Sequence, residues 1–272
     1  MGLRINQNIA AMNAYRNLSV TDGQMSKSLE KLSSGFRINR AADDAAGLAI
    51  SEGLRAQTGG LKVAVRNAQD GVSVVQTAEG ALTETHSILQ RMRDLAVQAS
   101  NEGSQGTDAQ AAANTEYQAL ALELDDIANK TTFNGTALLD GTYDKAFQVG
   151  ANSGEQLQVT IGDMKAATIL TAVGDLTTTA TAQTALDNID AAIKTVSTER
   201  AGLGAVQNRL EHKINNLNVA VENLSASESR IRDTDMASEM VAFTRSQILS
   251  QAGTAMLAQA NQAPQGVLRL LQ

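Results

Sequence analysis

The chain has 272 residues, a net charge of −7 and no cysteine, and 43% of its residues are hydrophobic. It is long enough to bury a sizeable core, but it has no disulfide framework, thiol nucleophile or sulfur metal site. Because the chain is acidic and only 3% aromatic, without basic clusters interleaved with aromatic residues, its composition argues against nucleic-acid binding.

Residues 1–43 are predicted to form an N-terminal core helix followed by a connector. Apolar residues recur there at three-, four- and seven-residue steps, which is typical of an amphipathic helix with one apolar stripe. The stripe consists of Ile5, Ile9, Met12, Tyr15, Leu18, Met25, Leu29, Leu32 and Phe36. The Ser-Ser-Gly sequence at 33–35 lowers helix propensity, so we interpret residues 34–43 as the connector. Either Asp43 or Asp44 can cap the next helix.

The first 40 residues carry six basic and two acidic side chains on an otherwise acidic chain. A basic arm on an acidic body suits contacts between copies of one chain, although solvated helix faces explain the same pattern.

Polar residues interrupt Met1–Leu18, so no secretory signal peptide is predicted, and no later apolar run is long enough to cross a membrane. The early arginines leave an organelle transit peptide as an alternative.

Residues 44–167 are predicted to contain two helices and a β-hairpin. A heptad that starts at Asp44 predicts a helix ending near Ser100, with Gly47, Leu54, Leu61, Ala68, Val75, Leu82, Leu89 and Ala96 on its apolar face. A Gly- and Ser-rich turn at 101–107 precedes a third helix, whose apolar positions are Ala113, Tyr117, Leu120, Leu124 and Ile127. Because this link is short, the two helices must be antiparallel.

Turn dipeptides and alternating apolar residues mark a change of structure after Lys130. Asn134-Gly135 and Asp140-Gly141 predict turns. The alternating apolar residues flank a break at 151–155 and predict a β-hairpin that caps the bundle; they are Phe147, Val149, Leu157, Val159 and Ile161. Residues 168–184 are almost all threonine, alanine and other small residues, so we predict a surface crossover there.

Residues 185–231 carry the longest apolar repeat and are predicted to form one long helix. The repeat has an apolar residue at every seventh position, namely Ile189, Val196, Leu203, Leu210, Leu217, Leu224 and Ile231. Such a helix is about 70 Å long. The predicted fold is therefore mostly α: an elongated antiparallel helical bundle or coiled coil built from both halves of the chain, with a small β-hairpin region.

Residues 232–272 are predicted to form a C-terminal core helix that continues to Ala263-Pro264, followed by an apolar tail. Neither terminal stripe has a partner inside the predicted bundle, so we expect both ends to contact other subunits and to fold together on assembly. The predicted assembly residues are Ile5, Ile9, Leu18, Leu29, Leu32, Met240, Phe243, Ile248, Leu257, Leu268 and Leu271.

Two sets of motifs resemble the terminal signatures of bacterial flagellin. The N-terminal set is Leu-Ser-Ser-Gly-Phe-Arg-Ile-Asn at 32–39 with Asp-Asp-Ala-Ala-Gly-Leu-Ala-Ile at 43–50. The C-terminal set is Ser-Arg-Ile at 229–231, Gln-Ile-Leu at 247–249, Gln-Ala-Gly at 251–253, Leu-Ala-Gln-Ala-Asn-Gln at 257–262, and Pro264-Gln265. They occur in the right order at both ends of the chain, and the resemblance extends through the heptads.

The resemblance implies a subunit that assembles into the flagellar filament, with paired terminal helices in the filament core and no outer domains. It also implies an extracellular location and export through the flagellar secretion apparatus without a cleaved signal peptide. The expected partners are further copies of the chain, the export chaperone, and the cap and hook-junction proteins. A hook–filament junction protein is the nearer alternative, and a cytoplasmic signalling coiled coil is the alternative from another class.

One further stretch, Gln-Arg-Met-Arg-Asp-Leu-Ala-Val-Gln at 90–98, resembles the flagellin segment contacted by the vertebrate Toll-like flagellin receptor. The resemblance implies contact roles for Arg91, Leu95 and Glu116, although the same segment can instead pack against neighbouring subunits.

We expect no catalysis, cofactor or metal: the two histidines, His86 and His212, lie on separate helices and neither belongs to an H-E-x-x-H pair.

Overall fold

The computed structural model describes residues 7–101, 106–171 and 173–270, without the side chains of residues 263–270. The mostly α prediction is confirmed, with two small antiparallel hairpins. The elements in chain order are α1 (Ile9–Ser34), α2 (Ala45–Ala99), α3 (Thr107–Lys130), β1 (Thr132–Phe133), β2 (Thr136–Ala137), β3 (Asp144–Gln148), β4 (Gln156–Thr160), α4 (Ala166–Ile169), α5 (Thr179–Arg232) and α6 (Met236–Leu270). The chain forms two compact units, one of residues 57–222 and one of the two chain ends, Met1–Ala56 with Asn223–Gln272.

In the unit of residues 57–222, both α3 and α5 run antiparallel to α2. The Gln110 side chain of α3 donates to the Ala99 carbonyl at the end of α2 over 3.1 Å. Farther along α3, Glu116 pairs with Arg91. On α5, Asp190 pairs with Arg93 of α2. The same helix places Arg200 beside Glu79. In both helix pairs, later residues of one helix meet earlier residues of the other.

The heptad of α5 supplies one wall of the core in this unit. Its residues at seven-residue steps from Ile189 to Leu217 are all buried. Many other buried residues of this core are alanine, including Ala78, Ala96 and Ala121, and such small side chains allow helix backbones to approach closely. The periodicity of the sequence therefore translates directly into packing.

Two hairpins follow α3. The first joins β1 to β2 through Asn134 and Gly135, whose φ angles of 49° and 77° are both positive, as a tight type I′ turn requires. The second is the hairpin expected from the alternating pattern, and in it Phe147 of β3 lies opposite Leu157 of β4. Leu157 and Val149 pack against Ala68 and Leu210, so this hairpin covers α2 and α5 with its apolar face.

The structure corrects the prediction of a surface crossover at residues 168–184. Ile169, Leu170 and Leu176 belong to the buried core, and the last part of the segment is the first turn of α5, which begins at Thr179. The prediction underestimated these three large apolar residues because most of the segment consists of small and polar residues. These three residues help close the core, whereas Thr168, Val173 and Asp175 of the same segment are exposed.

The C-terminal helix also extends farther than the proline at 264 suggested. The backbone of α6 remains helical from Met236 to Leu270. A proline inside a helix removes one backbone hydrogen bond. The carbonyl that loses its bond is that of Ala260, four residues earlier. The side chain of Asn8, which caps α1, donates a hydrogen bond to this carbonyl.

Candidate subunit-contact surface on the terminal helices

Helices α1 and α6 pack against each other along most of their length within one unit. The residues of α1 that face this seam are Ala11, Ala14, Leu18, Thr21, Met25, Ser28 and Leu32. Those of α6 are Glu239, Phe243, Ser246, Ser250, Gly253, Leu257 and Ala260. Both sets alternate steps of three and four residues, which keeps one face of each helix on its partner. Small residues dominate the seam, and a Cβ at Gly253 would lie 3.2 Å from Leu18 Cδ1.

Three polar contacts show that the two helices are antiparallel. Lys31 lies 3.7 Å from Glu239 near one end of the pair. Ser250 donates to Asp22 over 2.9 Å farther along. At the other end, Asn8 Nδ2 donates to the Ala260 carbonyl over 2.7 Å.

The faces of α1 and α6 outside this seam carry a dense set of exposed large apolar side chains. On α1 they are Ile9, Met12, Tyr15, Val20 and Leu29, and on α6 they are Met240, Val241, Ile248, Leu249 and Met256. All ten are between 50% and 66% exposed. Large exposed apolar surface marks an interaction site. We call these ten residues the outer apolar face.

The structure divides the predicted assembly residues into two groups. Ile9, Leu29, Met240 and Ile248 belong to the outer apolar face, whereas Leu18, Leu32, Phe243 and Leu257 lie partly buried in the seam between α1 and α6. The side chains of Ile5, Leu268 and Leu271 lie outside the described residues.

The expectation of one apolar stripe on α1 is therefore wrong, since α1 carries a seam and a separate outer face. Val20 and Leu249 of the outer face were missed because each is out of phase with the residues taken as the stripe. A helix with apolar residues on several faces is the signal that could have found them.

The connectors beside this pair are held together by backbone and side-chain contacts. Phe36 and Asp233 form an antiparallel bridge, and Arg37 N donates to the Arg232 carbonyl over 2.7 Å. Asp44 caps α2 by accepting from Gly47 N over 2.8 Å. Asp43 instead accepts from the backbone N–H groups of Arg40 and Asn39, which holds the pKa of its carboxyl below the usual value.

Of the three predicted receptor-contact residues, two are exposed and one is buried. Arg91 and Glu116 form an ion pair of 2.7 Å with side chains 54% and 44% exposed. Leu95 is 2% exposed and belongs to the core cluster. The structure thus presents Arg91 and Glu116 on the surface, with Leu95 packed in the core.

Within the described residues, no group of three or more His, Cys, Asp or Glu side chains could hold a metal ion. None of the helices described is both long and apolar enough to cross a membrane.

Comparison with known proteins gives a consistent assignment. The family model for the bacterial flagellin N-terminal helical region matches residues 5–144, and the model for the C-terminal helical region matches residues 186–271. The chain is 59% identical to a flagellin of Halalkalibacterium halodurans, covering 98% of this chain and 99% of the relative. It is 53% identical to a flagellin of Bacillus subtilis, covering 99% and 100%. The crystal structure of Bacillus cereus flagellin aligns with a TM-score of 0.51 at 37% identity, covering 56% of this chain and 88% of that one.

The chain belongs to the bacterial flagellin family. It is a structural subunit of the extracellular flagellar filament and forms a filamentous homo-oligomer. Neither the hook–filament junction alternative nor the signalling alternative receives support from these comparisons.

Proposed function

We propose that the outer apolar face of α1 and α6 is the surface through which each subunit binds its neighbours in the filament. The observation that carries this proposal is the exposure of ten large apolar side chains on one helix pair. Burying one such side chain fully is worth about 1.5–3 kcal/mol, so even partial burial of several stabilises an assembly strongly. The role is structural and needs no catalytic residue or cofactor.

The seam residues have a different role in this proposal. Leu18, Leu32, Phe243 and Leu257 hold α1 and α6 together within one subunit. Their substitution would weaken assembly indirectly, by loosening the pair that displays the outer apolar face. Ile9, Leu29, Met240 and Ile248 would contact other subunits directly.

A charge placed on the outer apolar face tests the proposal. Ile248 is 60% exposed, so Ile248→Asp should leave the unit of residues 57–222 folded in the free subunit. It should raise the critical concentration for polymerisation at least tenfold, because assembly would bury an unpaired carboxylate. Gln251→Asp adds the same charge at an exposed polar position of α6 and should change the critical concentration little. Normal polymerisation of Ile248→Asp, measured by sedimentation and electron microscopy, would refute the role of this face.

We also propose that the subunit is exported without a cleaved signal peptide. Asn8 binds both α1 and α6, so removal of an N-terminal segment by cleavage would take away part of the helix pair. Mass spectrometry of subunits from native filaments should therefore detect peptides that include Asn8. Their absence, with a uniform new N-terminus inside α1, would contradict this mode of export.

The same exposed face supports the proposed partners. Before assembly it must be kept from premature self-association, which is the task expected of an export chaperone. At the two ends of a filament it remains uncovered, which suits binding by cap and hook-junction proteins. Co-purification of the export chaperone with the full chain, lost in Ile248→Asp and retained in Gln251→Asp, would support a shared surface. Equal binding of the chaperone to both variants would show that the chaperone and the neighbouring subunits bind different surfaces.

Recognition by the vertebrate Toll-like flagellin receptor is a second proposed interaction, supported by the exposed Arg91–Glu116 pair. In this proposal Arg91 and Glu116 touch the receptor, and Leu95 supports them from the core. Arg91→Ala should lower receptor signalling by the monomer, whereas Arg66→Ala, on an exposed part of the same helix, should not. Undiminished signalling by Arg91→Ala would remove the receptor proposal and leave filament assembly untouched.

A further inference from the structure

A proline interrupts the hydrogen bonding of α6 in its final third. Pro264 lies within the helix, which runs from Met236 to Leu270. Because proline has no backbone N–H, the carbonyl of Ala260 receives no bond from residue 264. An unpaired carbonyl costs free energy even where it is only partly buried, as this one is.

Asn8, the N-cap residue of α1, supplies the missing donor. Its Nδ2 donates to the Ala260 carbonyl over 2.7 Å. Its Oδ1 accepts from Ala11 N over 3.0 Å and so caps the first turn of α1. One side-chain amide therefore satisfies an orphan donor at the start of α1 and an orphan acceptor inside α6. Aspartate could cap α1 equally well but could not donate to Ala260.

The remainder of the seam specifies the alignment of the two helices only weakly. Its residues repeat at steps of three and four in both helices and are mostly small, so a slip of seven residues would again place seam residues on seam residues. For example, Leu18 would then face Ser246 or Ala260 in place of Gly253. The other two polar contacts of the pair, Lys31–Glu239 at 3.7 Å and Ser250–Asp22 at 2.9 Å, lie at partly or fully exposed positions, so each contributes little.

We propose that Asn8 and Pro264 together set the register of α1 against α6. The proline creates an acceptor at one position of α6, and the asparagine provides a donor at one position of α1. A slip by one heptad would leave the Ala260 carbonyl without a partner, much as a buried asparagine defines the register of a coiled coil. The inference rests on the proposed function of the outer apolar face, since the register decides how the α1 and α6 portions of that face are aligned.

Cysteine cross-linking measures the register directly, because the chain contains no native cysteine. A Cβ at position 253 lies 3.7 Å from Leu18 Cβ, which is within the usual range of Cβ distances for a disulfide. Leu18→Cys with Gly253→Cys should therefore form an intrachain disulfide on mild oxidation of assembled filaments. In the variant with Leu18→Cys and Ser246→Cys, a disulfide can form only if the two helices slip by one heptad. We expect little of this disulfide.

The donor role of Asn8 is tested by Asn8→Asp, which keeps the cap acceptor and removes the donor. We expect this substitution to lower the ratio of the 18–253 to the 18–246 disulfide about five- to tenfold, the effect of one lost hydrogen bond. Asn17→Asp makes the same chemical change at an exposed site of α1 and should leave the ratio unchanged. An unchanged ratio in Asn8→Asp would overturn the proposal.

Pro264→Ala separates this role from a general loss of helix stability. The alanine restores the backbone donor to Ala260, so Asn8→Asp should have a much smaller effect on the disulfide ratio in this background. An equal effect in both backgrounds would show that Asn8 does not act through the carbonyl released by Pro264, and would also overturn the proposal.

The critical concentration for polymerisation, measured on the same variants without the added cysteines, keeps the two proposals distinguishable. An altered disulfide ratio with unchanged polymerisation would confirm the register function and count against α1 and α6 as the assembly elements. An unchanged ratio would overturn the register function, whatever Ile248→Asp does to assembly.

Discussion

The guanidinium of Arg232 lies 4.8 Å from the centre of the Phe36 ring. This cation–π contact joins the connector after α1 to the end of α5, and Arg232 also pairs with Glu52 of α2. Thr234 N donates to the Gly35 carbonyl over 3.0 Å in the same cluster. Gly35, with a φ of 76°, adopts the left-handed conformation that ends α1 and turns the chain into this contact. These contacts therefore hold the segment that follows α1 against the segment that precedes α6.

Replacing Arg232 by lysine should weaken these contacts, even though the substitution keeps the positive charge. The side chain is 14% exposed, and lysine lacks the planar fork that can stack on a ring and pair with a carboxylate together. We expect Arg232→Lys to lower the stability of the assembled filament by about 0.5–1 kcal/mol per subunit. Arg230→Lys, at an exposed position of the same helix, is the control. Equal thermal denaturation midpoints for the two variants would show that the stacked geometry contributes nothing.

The long helices were predictable because their periodicity directly encodes burial. Residues such as Ile189, Leu203 and Leu217 recur at one face and are buried there. Hairpin β3–β4 was predictable for the same reason, since Leu157 and Val159 are buried and their neighbours are exposed.

Other features depend on long-range contacts that no local pattern contains. The seam of α1 differs from its apolar stripe because the partner helix supplies small residues, so Thr21 and Ser28 face inward while Met12 and Tyr15 remain exposed. The hydrogen bond from Asn8 to the Ala260 carbonyl joins residues 252 apart in sequence, so no local pattern could have indicated it.

A pair of substitutions on α5 tests whether burial decides stability in the unit of residues 57–222. Leu217 is 5% exposed and Val219 is 58% exposed. Leu217→Asp buries an unpaired carboxylate and should cost about 3 kcal/mol or more, enough to abolish the folded monomer of a marginal domain. Val219→Asp should change stability by only about 0.5 kcal/mol. Chemical denaturation followed by circular dichroism gives both values, and similar costs would contradict the assigned orientation of α5.

Tyr117 offers a stabilising substitution. The residue is fully buried, and its hydroxyl has no hydrogen-bond partner among the described residues. Tyr117→Phe removes a desolvated polar group and should raise the free energy of unfolding by up to about 1 kcal/mol. Tyr15→Phe, at a residue 65% exposed, should be neutral in the monomer. A destabilisation by Tyr117→Phe would reveal that the hydroxyl has a partner.

The same tyrosine should make stability depend on alkaline pH. Burial raises the pKa of Tyr117, so as pH rises the unfolded chain releases this proton before the folded chain does. The folded state is then favoured less as pH rises above about 10, the ordinary tyrosine value. In Tyr117→Phe this part of the alkaline loss should disappear. Denaturation midpoints of the two proteins at a series of pH values test the difference, which should grow with pH.

The segment between α4 and α5 should accept an inserted domain, but only at its later part. Leu176 is buried, whereas Thr177 and Thr178 are exposed, and Thr178 caps α5 by accepting from Thr181 N. The two family models also leave residues 145–185 unmatched. An insertion between Thr177 and Thr178 should preserve polymerisation. The same insertion after Ile169 would separate buried residues and should prevent folding. Failure of the first insertion to polymerise, with the monomer folded, would contradict this placement.

The last prediction concerns when the terminal helices form. Both hydrophobic core clusters consist entirely of residues between 57 and 222, so that unit has a core of its own. In contrast, α1 and α6 share a narrow seam of small residues and leave ten large apolar side chains exposed. Isolated helices with so little packing are marginal in water. We therefore expect α1 and α6 to be largely unfolded in the free monomer and to become helical together on assembly, which couples their folding to polymerisation.

Removing residues 234–272 should accordingly abolish polymerisation and leave the unit of residues 57–222 folded, with a thermal transition close to that of the full chain. Amide hydrogen exchange on monomers and filaments then tests the coupling. Amides near Leu89 and Leu203, in the core, should be protected in both states and in the truncated chain. Amides of residues 18–32 and 241–257 should gain protection only in the filament, because only there is the outer apolar face covered. Strong protection of these amides in the free monomer would show that the pair folds before assembly, and the proposed coupling would then be wrong.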